Sequence, residues 1–314
     1  MNKKSVVIAL GGNALSPKGD DGSIKNQFIH TKESMQNIMH FVRKKYNICI
    51  THGNGPQVGD ELRRNEISSN KIPPLPLGVL VANTQGAIGY MIQQSLQNAL
   101  YKEKSDREVV TFVSQVKVDR TDPNILHPSK YIGFRFNSEK ANSLSEKYGW
   151  NIKEQEPNSW RRVVPSPTPL YIFNGKSIKH LVDFGTIVIA GGGGGIPAYN
   201  NLNGTLEGLD AVIDKDMTAA LMGRVTKSQE LYIITDVDNI YLNYMKTNQL
   251  TLDETTTTEI KQHLKDGHFQ EGTMAPKIKA ALYFLKYHGN KVVITSISNL
   301  KNAILNNSGT IIRN

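Results

Sequence analysis

The sequence predicts an α/β fold: an open, mostly parallel central sheet sandwiched between helices, with a small subdomain projecting from it. Three observations predict this. Short apolar, β-branched runs recur along the chain, stretches of helical periodicity separate them, and several runs end on Gly, Asn or Asp. Strands buried on both faces read as continuous apolar runs, and their alternation with helices favours parallel pairing.

Taken in order, buried strands are expected at 6–10, 48–51, 109–113, 186–190, 231–235 and 291–295. Helices are expected at 31–45, where Met35, Ile38, Met39 and Val42 recur at helical spacing, and at 79–101, 214–224 and 276–287. The stretch 117–169 breaks the rhythm. It is rich in Pro, Asn, Ser, Trp and Arg and lacks a long periodic element, yet Tyr131, Phe134, Phe136, Trp150 and Trp160 supply apolar surface for a small packed unit. The expectation is one domain, 1–314, with 117–169 as a projecting, mobile subdomain. The threonine run 255–258 is a low-complexity patch too short to carry weight.

Composition narrows the class. A chain of 314 residues, 39% hydrophobic and 21% charged, can bury a large core. It has no apolar segment of about 18 residues, so no membrane-spanning helix is expected. The apolar run at 6–10 is too short for the core of a signal peptide, and Cys49 sits within an apolar run, so a cytoplasmic protein without disulfides is the default. The net charge of +9 suits an anionic partner. Its basic residues are dispersed in pairs such as Arg63-Arg64 and Arg161-Arg162, with no RNA-recognition signature or zinc-finger spacing, which argues against nucleic acid.

Several short matches fail on inspection. Asn174-Gly175-Lys176-Ser177 resembles the end of a phosphate-binding loop, but Leu170 stands where the leading glycine is needed. Asp183-Phe184-Gly185 lacks a preceding His-Arg-Asp loop. Gly53-Asn54-Gly55-Pro56-Gln57-Val58 misses the dinucleotide fingerprint at its last position. His263 and His268 lie five apart on a polar stretch with no further ligand apparent, which argues against zinc.

A set of glycine and lysine loops remains. Gly11-Gly12-Asn13 follows the first strand, and His52-Gly53-Asn54-Gly55-Pro56-Gln57 follows the second and runs into a helix near Pro56. Glycines there leave backbone N–H groups open to an anion, and a helix N-terminus adds positive potential. The run 191–195 is a third loop suited to close approach. Val212-Ile213-Asp214-Lys215-Asp216 places a lysine between two acids at a loop–helix junction. Gly272-Thr273-Met274-Ala275-Pro276-Lys277 puts a lysine in the first turn of a helix, where the helix dipole disfavours it unless an anion binds.

Together these segments closely resemble the carbamate kinases of the amino acid kinase superfamily, over nearly the whole chain. The specific pieces are Thr51-His52-Gly53-Asn54-Gly55-Pro56-Gln57-Val58-Gly59, Thr84-Gln85-Gly86-Ala87-Ile88-Gly89-Tyr90, Pro128-Ser129-Lys130-Tyr131-Ile132-Gly133, Trp160-Arg161-Arg162-Val163-Val164-Pro165-Ser166-Pro167 and Ala211-Val212-Ile213-Asp214-Lys215-Asp216. Tyr131 stands where the family often has proline and Ala275 where leucine is common; neither departure touches a charged residue.

The resemblance implies reversible phosphoryl transfer, carbamoyl phosphate + ADP ⇌ carbamate + ATP, with Mg²⁺, usually in the ATP-forming direction and in a homodimer. It also implies roles. Lys130 would reach carbamate and the transferring phosphoryl from the subdomain, Lys215 would sit on that phosphoryl, Lys277 would contact the nucleotide phosphates, and Asp216 would hold the lysines in place. Gly11, Gly12, Asn13, Gly53, Asn54 and Gly55 would bind carbamate or phosphoryl through N–H groups. The nucleotide would lie mainly against 205–314, bordered by Thr235, Asp236, Val237, Tyr241 and Met274, with Asp214 helping Mg²⁺. Alternatives are a superfamily kinase for acetylglutamate, aspartate or uridylate, a nucleotide-binding regulator without catalysis, and, from the charge, a nucleic-acid binder.

Overall fold

The computed structural model describes residues 3–17 and 19–314, with the side chain of Asn13 also outside the description. Its centre is an eight-stranded sheet in the spatial order Glu254–Thr256, Thr310–Arg313, Lys291–Ser296, Glu230–Thr235, Ser5–Leu10, Asn47–His52, Ile187–Ile189, Val109–Thr111. All neighbours pair in parallel except Lys291–Ser296 with Thr310–Arg313. The predicted fold class is the observed one.

The strands sit where the apolar runs are because both faces are covered. Along Ser5–Leu10, Val7 and Ala9 join the core formed with the helices Gly175–Phe184, Lys215–Thr226 and Met274–Tyr287. Val6, Ile8 and Leu10 face the opposite core, with Ile24–Arg43, Leu77–Lys102 and Leu300–Asn306. Each fully buried aliphatic side chain contributes about 1.5–3 kcal/mol, so a strand buried on both faces is strongly held in register.

Topology then places the site. Ser5–Leu10 pairs on one side with Asn47–His52 and on the other with Glu230–Thr235, so the chain leaves the central strand in both directions. Such a switch point opens a crevice at the carboxyl ends of the strands. The loops after Leu10, His52 and Thr235 meet there.

Two helices deliver lysines to that crevice, and glycine sets their spacing. Gly223, on Lys215–Thr226, lies so close to Phe284, on Met274–Tyr287, that a Cβ would fall 2.3 Å from the ring. Any side chain at 223 would push the helices apart.

Some boundaries move for identifiable reasons. The helix expected at 31–45 spans Ile24–Arg43, because Ser23 caps it by accepting from Asn26 N at 3.3 Å, about three helical turns before the apolar stripe begins at Met35. The helix expected at 214–224 spans Lys215–Thr226, with Asp214 as its cap. The strand expected at 109–113 ends at Thr111. The threonine run is structural after all: Thr256 and Glu259 form a reciprocal capping box that starts the helix Thr257–Lys265.

The stretch 117–169 is more regular than its composition suggests. Lys130–Phe136, Ser159–Val164 and Ile152–Glu156 make a separate three-stranded antiparallel sheet, crossed by the helix Ser138–Tyr148. Tyr148 and Trp150 stack at 5.0 Å, and the Arg162 guanidinium lies 4.6 Å over Trp150. The flanks belong elsewhere. Gln115–Lys117 and Tyr171–Ile172 pair within a second, four-stranded sheet. Ile132 and Val164 bury against Val58, Leu62 and Leu80, which seats the small sheet on the helices Gly55–Ser68 and Leu77–Lys102.

Candidate active site

A cleft of about 950 Å³ opens at the switch point, between the carboxyl ends of the central strands and the small sheet. Its floor is made by the two glycine turns. Gly11 follows the first strand so tightly that a Cβ would lie 2.8 Å from Ile234 O. Gly53 is wedged between the Gly12 amide, 3.2 Å from where a Cβ would be, and the aliphatic stem of Lys215, 3.1 Å away. Gly12, Gly53 and Lys215 therefore converge on one point, and any side chain at 53 would compete with that lysine.

Asn54 stands at the start of the helix Gly55–Ser68 and makes no side-chain cap. Its amide instead donates to Thr84 Oγ1 at 2.9 Å. The first amides of this helix are thus left without a side-chain cap at the cleft. Uncapped N-termini attract anions. Thr273, at the start of Met274–Tyr287, also makes no side-chain cap, its hydroxyl donating instead to Gln270 Oε1 at 3.2 Å, but Ala275 N is taken by Gln270 O at 3.1 Å and Pro276 has no N–H.

The third glycine loop makes the close approach expected of it, and the groups that approach are the protein's own. A Cβ on Gly192 would lie 2.3 Å from His52 Nε2, and one on Gly193 2.3 Å from Asn54 Nδ2. On Gly194 it would meet Ile213 O at 2.2 Å. The run 191–195 is a backing plate for the first two loops, and of its residues Gly193 reaches the cleft wall. His52 is buried between these layers, and its Nδ1–H donates to Gly53 O at 3.0 Å. Burial pushes its pKa down to about 4, against the opposing pull of the Gly53 bond, so the ring is neutral near pH 7 and braces the turn.

The charged centre packs beneath this floor, the Lys215 stem against Gly53. Asp216 is almost fully buried; its Oδ1 accepts from Lys215 Nζ at 2.6 Å and its Oδ2 from Lys277 Nζ at 3.1 Å. Burial alone would push the Asp216 carboxyl up, but the two ammonium groups outweigh it and hold it well below the usual carboxylate range. Burial lowers Lys215 from its ordinary value, opposed by the attraction of Asp216 and reinforced by Lys277. Three charges bound by two short bonds leave one net positive charge under the glycine amides.

Asp214 caps the Lys215–Thr226 helix. Its Oδ1 accepts from the amides of Asp216 at 3.0 Å and Met217 at 3.2 Å. Its Oδ2 accepts from Lys130 Nζ at 3.0 Å, and that ion pair links the small sheet to the main body across the cleft. Thr235, Asp236 and Val237, after the Glu230–Thr235 strand, line the far wall with Met274. Tyr241 completes it from the hairpin strand Ile240–Leu242 and stacks on Tyr244 at 5.8 Å.

The structure thus brings Lys130, Lys215, Asp216, Lys277, Gly11, Gly12, Gly53, Asn54, Gly55, Asp214, Thr235, Asp236, Val237, Tyr241 and Met274 to one cleft. The side chain of Asn13 lies outside the described residues. Sequence reasoning missed Arg161, which faces the cleft with a buried Nε that has no partner among the described atoms. Burial draws its guanidinium pKa down. Its only signal was its place in the Trp160–Pro167 segment. Lys246, also on the cleft wall, carried no sequence signal.

The chain matches known proteins over nearly its whole length. The model of the amino acid kinase family matches residues 4–296. Carbamate kinase 2 of Staphylococcus epidermidis is 43% identical over 312 residues, covering 98% of this chain and 99% of the relative. Carbamate kinase of Pyrococcus furiosus is 38% identical over 309 residues, covering 98% of each. Among solved structures, carbamate kinase from Giardia lamblia bound to AMP-PNP superposes with a TM-score of 0.92 at 37% identity, over 99% of this chain and 98% of that one. Matched over 98% of its length by carbamate kinases at 38–43% identity, the chain belongs to the amino acid kinase family, on its carbamate kinase branch.

Proposed function

We propose that this chain is a working carbamate kinase, transferring a phosphoryl group between carbamoyl phosphate and ADP, usually to make ATP. The observation that carries this reading is the Lys215–Asp216–Lys277 cluster beneath two glycine turns, in a chain matched end to end by carbamate kinases.

In the ATP-forming direction, a terminal phosphate oxygen of ADP attacks the phosphorus of carbamoyl phosphate. The bond from phosphorus to the carbamate oxygen breaks, and carbamate leaves as an anion. No proton moves, so no general base is needed. The neutral, buried His52 fits a site without one. The transition state is loose, with charge spread over the transferring oxygens, and needs positive charge and alignment. Lys215 sits on the transferring phosphoryl, and Lys277 contacts the nucleotide phosphates. Asp216 holds both ammonium groups through charge-assisted bonds. The amides of Gly11, Gly12, Asn13, Asn54 and Gly55 receive carbamate or the phosphoryl, and the nucleotide lies against Thr235, Asp236, Val237, Tyr241 and Met274. Gly53, expected among these amides, does not join them, because its N–H already donates to Leu10 O at 2.9 Å; its part is to leave room for the Lys215 stem.

Mg²⁺ fits as an ion that arrives on the nucleotide. Both oxygens of Asp216 are held by lysines, and those of Asp214 by two amides and Lys130. The carboxylates of this cluster therefore suit a metal held mainly by phosphate oxygens and water, with Asp214 assisting. Bound there, Mg²⁺ would neutralise charge on the nucleotide phosphates.

The small sheet acts as a mobile cover. Lys130 exchanges its Asp214 partner for the substrate as the cover closes, excluding water and limiting hydrolysis of the acyl phosphate. Hydrogen exchange over 130–164 is expected to slow when a bisubstrate-like ligand binds and to change little with ADP alone. A homodimer in the cytoplasm completes the proposal.

The direct test is ATP formation from ADP, Mg²⁺ and carbamoyl phosphate, with acetyl phosphate, N-acetylglutamate and uridylate as comparisons. Turnover with carbamoyl phosphate that stops on removal of the divalent cation is expected. Activity with N-acetylglutamate or uridylate and none with carbamoyl phosphate would overturn the assignment.

A further inference from the structure

Beyond the phosphoryl site, the rim of the cleft carries a second cluster of ligand-type side chains. His263 lies in the last turn of the helix Thr257–Lys265, and Asp266 is its C-cap. Gly267 then takes a left-handed turn with φ of 76°, which folds the chain back on itself. His268 N donates to His263 O at 3.2 Å, closing that turn. The two imidazole rings end 5.5 Å apart, and ligand atoms of His263, Asp266 and His268 all lie within 4.8 Å of one another. The pair of histidines that looked unsupported in the sequence has a third ligand, supplied by the residue between them.

The scaffold is firm on both sides. Ile260, one turn before His263, and Phe269, directly after His268, are buried in the same core cluster. Asp266 Oδ1 accepts from Gln262 Nε2 at 2.8 Å, which orients the carboxylate and leaves its other oxygen for a ligand. The cluster is part-exposed, so an ion could enter from solvent, and Asp266, Gly267 and His268 line the cleft itself.

We propose that His263, Asp266 and His268 form a binding site for a borderline divalent transition-metal ion of the Zn²⁺ class, distinct from any Mg²⁺ carried by the nucleotide. Two imidazoles and one carboxylate suit Zn²⁺, Ni²⁺ or Cu²⁺, whereas Mg²⁺ demands oxygen ligands. Three protein ligands leave a coordination position for water. Ligand–ligand separations in a tetrahedral site are shorter than the present spread, so binding draws His268 toward the helix end and stiffens the cleft rim. The proposal does not depend on which phosphoryl acceptor the cleft serves.

The test uses tag-free full-length protein, stripped by chelator and titrated calorimetrically with ZnCl₂ without nucleotide. Wild type is expected to take up one ion per chain. H263A and H268A should each weaken that binding by about tenfold or more, a scale already reached when only an outer partner of a metal ligand is lost. D266N should weaken it less, and MgCl₂ should give no comparable heat. Zn²⁺ should also slow hydrogen exchange over 261–270 in wild type. Wild type that binds Zn²⁺ no better than millimolar, or an H263A/H268A double variant with the wild-type circular dichroism spectrum and unchanged Zn²⁺ affinity, would overturn the proposal.

Discussion

Two sets of ion pairs meet in the cleft, and they differ in how firmly they are held. Asp216 is sealed, with its side chain 3% exposed, and grips Lys215 and Lys277 from two helices packed through Gly223 and Phe284. Lys130 is 37% exposed and crosses from the small sheet to Asp214. A buried cluster is costly to disturb, because removing one member leaves the others charged and unsolvated. A part-exposed pair is screened and is worth about 1 kcal/mol. The contrast separates a fixed electrostatic floor from a lysine that can change partners.

The floor is where breakage should cost most. Lys277→Ala is expected to lower turnover by roughly two to three orders of magnitude, the scale for losing one preorganised electrostatic donor. Steady-state ATP formation at saturating substrates measures it, and near wild-type turnover would remove Lys277 from the phosphoryl site. Asp216→Asn should slow turnover as well and cost about 3–5 kcal/mol in a urea melt, the range for breaking a buried ion pair.

Spacing comes next. Gly223→Val places methyl groups into the Phe284 ring, and overpacking of this kind costs about 1–3 kcal/mol. Turnover should fall with it, since the Lys215 and Lys277 helices are pushed apart. The same substitution would leave turnover intact if the two lysines acted independently.

The smallest effect is a pH dependence. The Asp216 carboxyl is held below its unfolded value, which is about 3.9. Its contribution to stability is therefore fully present above that value and is lost as pH falls toward the folded pKa. Wild-type stability should drop through this acid window more steeply than that of Asp216→Asn. Equal slopes below about pH 4 would show that the carboxyl has the same pKa folded and unfolded, and so is not stabilised by the lysines.

How much of this was legible depends on burial. The central strands were readable because both faces are covered, leaving unbroken apolar runs such as Ile48-Cys49-Ile50. The small sheet was not, because its strands carry mostly exposed and part-exposed residues, as in Ile152–Glu156, and its core is a few aromatic and aliphatic contacts. The start of the Ile24–Arg43 helix escaped notice because the buried positions of its first two turns are polar, Gln27 and Thr31, while Ile24 is exposed. Lysines and glycines of the site were recognised through resemblance. That Lys277 and Lys215 share Asp216 is a product of helix packing across 61 residues, invisible to local patterning. The run 191–195 was legible as a close-approach loop, but sequence does not say whether a ligand or a protein side chain is approached; here it is His52 and Asn54.

The division between a fixed floor and an exchangeable lysine is tested most directly by Lys130→Ala, measured for both turnover and ADP affinity in the same preparation. The account predicts that turnover at saturation falls by roughly a hundredfold, the lower end for losing one positioned electrostatic group, while the Kd for ADP stays near wild type. Loss of ADP binding with turnover spared at saturation would contradict it and assign the small sheet to the nucleotide.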